Sequence, residues 1–368
     1  MSIEFLPQRR EFREHVRSFV EQRVRPLSEK WEKQGHFPAS FLRICARQNL
    51  ISLDRERNGI VAEELPRCES LGFALSVFVQ ANLVAPMLEE LGSAAQKQQF
   101  LAPLLLGKKA GAVAVSEPSA GSDFAALKTR AQKARGGWRL NGTKTYITNA
   151  AIADFLIVAA RSSPGPGLQN MSLFLVPARN KGVRIKRLSM LGLQTSAAGE
   201  ITLTDCKIPT ENLLGARGQA FAYVQSGLNR ERLFGGLACV SWARYTLDKT
   251  TQYLQARSAF GSTLNKFQSI RHQIADMRTR LEAAAQLNYS VFHRWLRDEN
   301  VARDICMIKL FSYQTAQAVV GNCLQLHGGL GYMRDHWCSR FYRDACALTI
   351  AAGTPEIMKE MIAAYLRL

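Results

Sequence analysis

Apolar residues in the first hundred positions recur at spacings of three and four, as at Val16, Phe19 and Val20, and the stretch 5–107 is rich in Leu, Ala, Glu and Arg. That period matches the helical turn, so several amphipathic helices are predicted there. The rhythm changes after Leu106-Gly107-Lys108-Lys109. Val113 to Val115 opens a different region, and short β-prone runs follow at 138–140, 144–148, 155–159, 172–176, 183–186 and 200–203, parted by Asn-Gly, Pro-Gly and Asn-Lys-Gly. Such turn signals between short runs predict a small antiparallel β domain. Beyond Leu213-Leu214-Gly215 the helical period returns: Leu233, Leu237, Val240, Leu247 and Leu254 mark one face, and Phe267, Ile270, Ile274, Met277, Leu281, Ala284 and Leu287 another. Each is a single buried stripe on a long helix. The expected class is α+β, with a helical domain over 1–108, a β domain over 109–214 and a helical domain over 215–368.

A chain of 368 residues, 47% hydrophobic, can bury a large core. No run approaches ~20 consecutive apolar residues, and the first ten residues mix acid and base, so neither a membrane span nor a secretory start is expected. No two of the eight cysteines have zinc-cluster or redox-pair spacing, and the six histidines form no His-x-x-x-His pair. Reduced thiols in a cytoplasmic setting, without a metal, are the expectation. The net charge of +18 and pI near 9.8 call for an acidic partner: nucleic acid, a phosphate-rich cofactor or an acidic protein. The clusters at Lys108 and Lys109, 128–139 and 179–187 would equally suit a solvated surface.

Candidate chemistry begins with Val115-Ser116-Glu117-Pro118-Ser119-Ala120-Gly121-Ser122-Asp123, a sharp loop whose small residues leave the backbone open to a ligand. Then Tyr146-Ile147-Thr148-Asn149-Ala150 offers an aromatic, a hydroxyl and an amide that suit a flat heterocycle. Either alone would pass for ordinary loop and strand-end residues. Together they resemble the flavin-binding motifs of the acyl-CoA dehydrogenase family, and three more matches follow in order. These are Arg257-Ser258-Ala259-Phe260-Gly261 with Phe267-Gln268 and Ala275-Asp276-Met277, then Gln325-Leu326-His327-Gly328-Gly329-Leu330-Gly331-Tyr332, then Arg343-Asp344-Ala345 followed by Gly353-Thr354-Pro355-Glu356-Ile357.

The resemblance implies that fold: an N-terminal helical domain, a barrel-like β domain and a C-terminal four-helix bundle, holding FAD in a homodimer or homotetramer. It implies that Ser116, Tyr146 and Thr148 contact the isoalloxazine, with Gly121 and Ser122 lining the flavin and thioester region. Arg257, Phe260 and Gln268, with Gln325, Gly328 and Gly329, would contact the FAD of a neighbouring subunit, and Thr354 and Glu356 the adenosine diphosphate. A guanidinium fork suits a pyrophosphate, although a surface salt bridge is the plainer role for Arg257. The glycine pair could equally end a helix. His327 is assigned no chemistry.

Many relatives in that family carry a glutamate just before the Gly-Thr of the last motif, and here Ala351-Ala352-Gly353-Thr354 puts Ala352 in its place. An alanine cannot take a proton. A minority branch, similar to isovaleryl- and long-chain acyl-CoA dehydrogenases, supplies the base from an earlier helix in a Leu-x-x-Glu-Arg-Leu context, which Leu228-Asn229-Arg230-Glu231-Arg232-Leu233 matches. The resemblance then implies Glu231 as α-proton base and flavin N5 as hydride acceptor. The Ala352 backbone N–H, with a ribityl hydroxyl, would bind the thioester carbonyl. The plainer role for Glu231 is a first-turn helix residue stabilised by the dipole and paired with Arg230 or Arg232.

A second departure is the short segment 50–65 where the family has a longer Gly-rich loop; it would open the acyl side and rules out borrowing a chain-length preference. The expected activity is FAD-dependent α,β-dehydrogenation of an acyl thioester carried by CoA or by an acidic acyl- or peptidyl-carrier protein, with an electron-transfer flavoprotein or oxygen as acceptor. The alternatives are a flavin monooxygenase on the same scaffold and a nucleic-acid-binding flavoprotein, whose relatives carry a further C-terminal region.

Overall fold

The computed structural model describes residues 7–165 and 167–368, so the helical start placed at Phe5 lies outside them. Eight helices make up the first hundred residues: α1 (Pro7–Phe19), α2 (Arg25–Gln34), α3 (Phe41–Arg47), α4 (Arg55–Glu64), α5 (Leu71–Val79), α6 (Ala85–Leu91), α7 (Ala94–Gln96) and α8 (Ala102–Leu105). Val16 and Val20 are fully buried, and Phe19 nearly so, as their spacing predicts. The α5 and α6 helices run on through the π-helical turn Gln80–Val84 as one rod, Leu71–Leu91. That rod is long and apolar enough to cross a membrane, but 89% of its apolar window is buried inside the protein, where it serves as a core helix. The segment 50–65 is helical as well: Asp54 caps α4 by accepting from the Arg57 N–H at 2.9 Å.

The β domain holds β1 (Gly111–Ala114), β2 (Arg130–Ala134), β3 (Gly137–Ile147), β4 (Phe155–Arg161), β5 (Met171–Pro177), β6 (Val183–Arg187), β7 (Gly199–Pro209) and β8 (Leu213–Leu214). The order is β6-β7-β3-β2-β4-β5-β8, with β1 beside β4. Two expectations fail here. The sheet is not wholly antiparallel, because β1 and β2 pair with β4 in parallel. The Asn141-Gly142 signal does not turn the chain either; β3 continues through it as a bulge, where the register with β7 slips between Leu140 and Gly142. Gly142 takes φ +152° against Thr129, and Asn141 Oδ1 accepts from the Asp205 N–H at 2.8 Å, so tertiary pairing overrides the local turn preference.

The C-terminal region is led by three long helices, α9 (Ala220–Ala256), α10 (Gln268–Leu296) and α11 (Ala302–Leu326), followed by α12 (Gly329–Tyr332), α13 (Trp337–Cys346) and α14 (Pro355–Leu366). A hairpin of β9 (Ser258–Ala259) and β10 (Ser262–Thr263) joins α9 to α10. Leu233, Leu237, Leu247, Leu254, Met277 and Leu281 are buried, as their stripes predict. Cores of the N-terminal helices and of α9 merge through Leu83, Val224, Leu233 and Phe234, which sets the α9 face carrying Glu231 against α4 and α5.

Candidate active site

Glu231 lies not in a first turn but eleven residues inside α9, too far from the helix start for the dipole to hold it. Nor is it paired with its neighbours. Arg230 bridges to Glu90, while Arg232 donates to the Ala352 carbonyl at 2.8 Å and to Asn229 Oδ1 at 3.0 Å. The Glu231 carboxylate has no ion pair among the described residues and faces a cavity.

That cavity encloses about 790 Å³ including its open mouth, and its walls are almost wholly apolar. Val61, Ala62 and Leu65 come from the shortened segment, which therefore walls the cavity, and Pro66 follows it; Leu71, Ala74, Leu75 and Phe78 come from α5. Along α9 the lining reads Glu231, Gly235, Ala238, Cys239 and Trp242, one helix face with small residues in the middle and an indole at the far end. From α11 come Lys309 and Tyr313, and from the turn before α14 come Ala347, Leu348, Ala351 and Ala352. Gly235 is needed where it stands: a Cβ there would collide with the Tyr313 hydroxyl, which donates to the Arg232 carbonyl at 3.2 Å. Burial pushes the Glu231 carboxyl above its ordinary range, opposed first by Lys309 and then by Arg232.

Ala352 is left-handed at φ +56°, and Gly353 follows at φ +106°. The bond from Arg232 fixes the Ala352 carbonyl on α9, and the Ala352 N–H has no acceptor among the described residues. A carboxylate without an ion pair and a residue whose N–H has no acceptor among the described residues thus line one apolar cavity, which suits proton abstraction beside a carbonyl.

The remaining predicted residues lie elsewhere. Ser116 and Tyr146 sit on adjacent backbones, the Ser116 carbonyl accepting from the Thr145 N–H at 2.9 Å. Tyr146 occupies the second bulge of β3, left-handed at φ +59° and 66% exposed, and Thr148 follows it half-buried. Gly121 and Ser122 are exposed on the loop braced by Glu117, whose carboxylate accepts from the Lys128 and Thr129 N–H groups and from Lys144 Nζ. At the bundle end, His327 stacks on Tyr253 with centroids 4.4 Å apart, bringing the last turns of α9 and α11 together. Arg257, Phe260 and Gln268 are exposed there with Gln325, Gly328 and Gly329, and Phe260 is 97% exposed. His327 itself is buried, its ring 2.8 Å from the Cys323 carbonyl. Thr354 caps α14 by accepting from the Ile357 N–H at 3.4 Å, with Glu356 exposed beside it.

These surroundings fit a flavin dinucleotide. An aromatic thrown outward by a bulge next to two hydroxyls can meet a ring system, and the Arg257 guanidinium, without a partner among the described residues, can meet a diphosphate. A Cβ on Gly328 or Gly329 would touch nothing within 4 Å, so the backbone is open to close approach from outside. Sequence reading missed Lys309, Tyr313, Arg232 and Trp242. Lys309 carried a signal, a lone cation within the apolar run Cys306-Met307-Ile308-Lys309-Leu310-Phe311.

Comparison with known proteins gives three family profiles that together span nearly the whole chain. They are described as the N-terminal domain (residues 7–108), the middle domain (112–206) and the C-terminal domain (218–366) of acyl-CoA dehydrogenase. The mitochondrial long-chain specific acyl-CoA dehydrogenase of Sus scrofa is 33% identical over 96% of this chain and 85% of its own length. The mitochondrial short-chain specific enzyme of Rattus norvegicus is also 33% identical, over 99% of this chain and 91% of its own. Relatives of opposite chain length are thus equally similar. Among solved structures, a glutaryl-CoA dehydrogenase from Mycobacterium smegmatis in complex with FADH2 superposes with a TM-score of 0.92 at 26% identity, over 98% of this chain and 95% of that one.

Proposed function

The chain belongs to the acyl-CoA dehydrogenase family, FAD-dependent oxidoreductases acting on CH–CH bonds, and on that footing we propose that Glu231 is the base of its α,β-dehydrogenation. The observation that carries this reading is the unpaired Glu231 carboxylate on the wall of an apolar cavity it shares with the Ala352 N–H. The acyl group lies along the small α9 residues, between α5 and α11, with its carbonyl on the Ala352 N–H. That bond draws charge onto the carbonyl oxygen and acidifies the neighbouring α-carbon. Glu231 takes the α-proton, its basicity raised by the dry surroundings. Bound FAD would supply the hydride acceptor for the β-hydrogen. Ser116, Tyr146 and Thr148 would hold its ring, and Gly121 and Ser122 leave room beside it.

Arg257 stands 26 residues beyond Glu231 on the same helical course, about 39 Å at the α-helical rise. By likeness to the family it would serve, with Phe260, Gln268, Gln325, Gly328 and Gly329, the FAD of a second copy in a homo-oligomer, while Thr354 and Glu356 would serve the copy's own. An electron-transfer flavoprotein or oxygen would be the electron acceptor. The thioester is carried by CoA, and an acidic carrier protein suits the charge of +18 equally.

The test is anaerobic flavin bleaching by a panel of acyl-CoA and carrier-bound acyl thioesters, with wild type and Glu231→Gln compared. The variant is expected to keep FAD and lose roughly 10²–10⁴-fold in bleaching rate. An unchanged rate would return Glu231 to a structural role.

A further inference from the structure

Among the described residues lining the cavity, Glu231 is the one carboxylate and Lys309 the one ammonium. Lys309 is 3% exposed, and an ammonium so deep is costly unless it is compensated. Its Nζ donates to the Leu348 carbonyl at 2.6 Å and lies 3.7 Å from the centre of the Tyr313 ring. An ammonium carries three donors and a full charge, which one carbonyl and one ring face leave mostly unbalanced. Glu231, partly buried and likewise without an ion pair among the described residues, stands on the same wall.

The remaining ionisable neighbours are otherwise engaged or uncharged. From α9, Arg232 is committed to Ala352 and Asn229, and Cys239 is a buried thiol pushed up to about 12. From α11, Tyr313 donates to the Arg232 carbonyl and burial keeps it protonated, while Cys306, and Tyr365 from α14, face Arg232. Wall residues from α4, α5 and the following turn carry no charge.

We infer that Lys309 is the positioning residue for Glu231: its ammonium supplies the positive field that keeps the base ionised in the cavity, and its bond to Leu348 holds the turn presenting the Ala352 N–H. The proposal rests on Glu231 acting as base. Lys309 and Tyr313 are one turn apart on α11, and Gly235, lacking a Cβ, lets that face close onto α9. Burial brings Lys309 itself down to about 8, so its field is present below that pH and fades above it. Removing the ammonium disfavours the carboxylate form, so Glu231 must then titrate at higher pH.

The experiment is a carbon-13 NMR titration of protein labelled at the glutamate side-chain carboxyl, the Glu231 resonance being the one absent from Glu231→Gln. Beside it runs the pH dependence of anaerobic bleaching by whichever of butyryl-, octanoyl- and palmitoyl-CoA reduces wild type fastest. Lys309→Met and Lys309→Gln are each expected to move the Glu231 titration and the acid limb of bleaching upward by about one pH unit or more, the glutamine keeping a donor for Leu348. Lys309→Arg, which keeps the charge, should leave both near wild type. An unmoved titration in the Met and Gln variants, or an equal shift in the Arg variant, overturns the inference. If instead Glu231→Gln bleaches like wild type, the base assignment has failed, and the NMR arm still reads the Lys309–Glu231 coupling by itself.

Discussion

The cavity around Glu231 is walled by α4, α5, α9, α11 and the turn before α14 of a single chain, whereas Arg257, Phe260, Gln325 and Gly329 stand exposed where α9 and α11 end. In the cavity, close packing holds the groups around Glu231: Arg232 on Ala352, Lys309 on Leu348, Tyr313 over Gly235. At the bundle end the groups are exposed, with Phe260 97% exposed beside glycines that are open to close approach. Folding alone thus closes the cavity around Glu231, while the groups at the bundle end stay open to a ligand or a second chain.

The largest expected effect that separates the two regions is that of Glu231→Gln: bleaching falls by roughly 10²–10⁴-fold while FAD content and thermal stability stay near wild type. Loss of FAD in that variant would merge the two regions.

How much of this was legible in the sequence follows the same division. Long apolar stripes such as Leu233 to Leu254 were readable because a buried helix face repeats every turn, and the flavin motifs because they are contiguous. Lys309 and Tyr313 were not, since they meet Glu231 only through the packing of α11 on α9, about eighty positions away. Strand β2 was read as a basic cluster because its Arg130, Gln132 and Lys133 face solvent and leave no apolar alternation. At Asn141-Gly142 the local signal was real, but cross-strand pairing outweighed it.

A pair of glycine substitutions sharpens the contrast at intermediate size. Gly235→Ala places a methyl against the Tyr313 hydroxyl, an overpacking cost of about 1–3 kcal/mol that the roughly 1 kcal/mol gained in helix propensity offsets only in part. A lowered apparent Tm and slower bleaching are expected together, because Tyr313 carries the Lys309 contact. Gly329→Ala meets nothing within 4 Å in the chain, so the apoprotein should melt as wild type does while FAD is held less tightly. Equal Tm losses in the two variants would show that the bundle end is packed in solution and not open.

The smallest effect on the bleaching rate is expected from Arg257→Ala, and it is the sharpest discriminator because of what it should leave untouched. A charge-assisted hydrogen bond to a phosphate contributes about 1.5–3 kcal/mol, so FAD affinity should drop by about 10- to 150-fold. The loss should shrink as salt is raised, since an exposed guanidinium acting on a phosphate is screened. Once FAD is saturating, the bleaching rate and its acid limb should match wild type, as Arg257 lies about 39 Å along the helix from Glu231. If the acid limb moved with FAD saturated, Arg257 would have to act on the base across that length of helix, and the separation between the closed cavity and the open bundle end would be wrong.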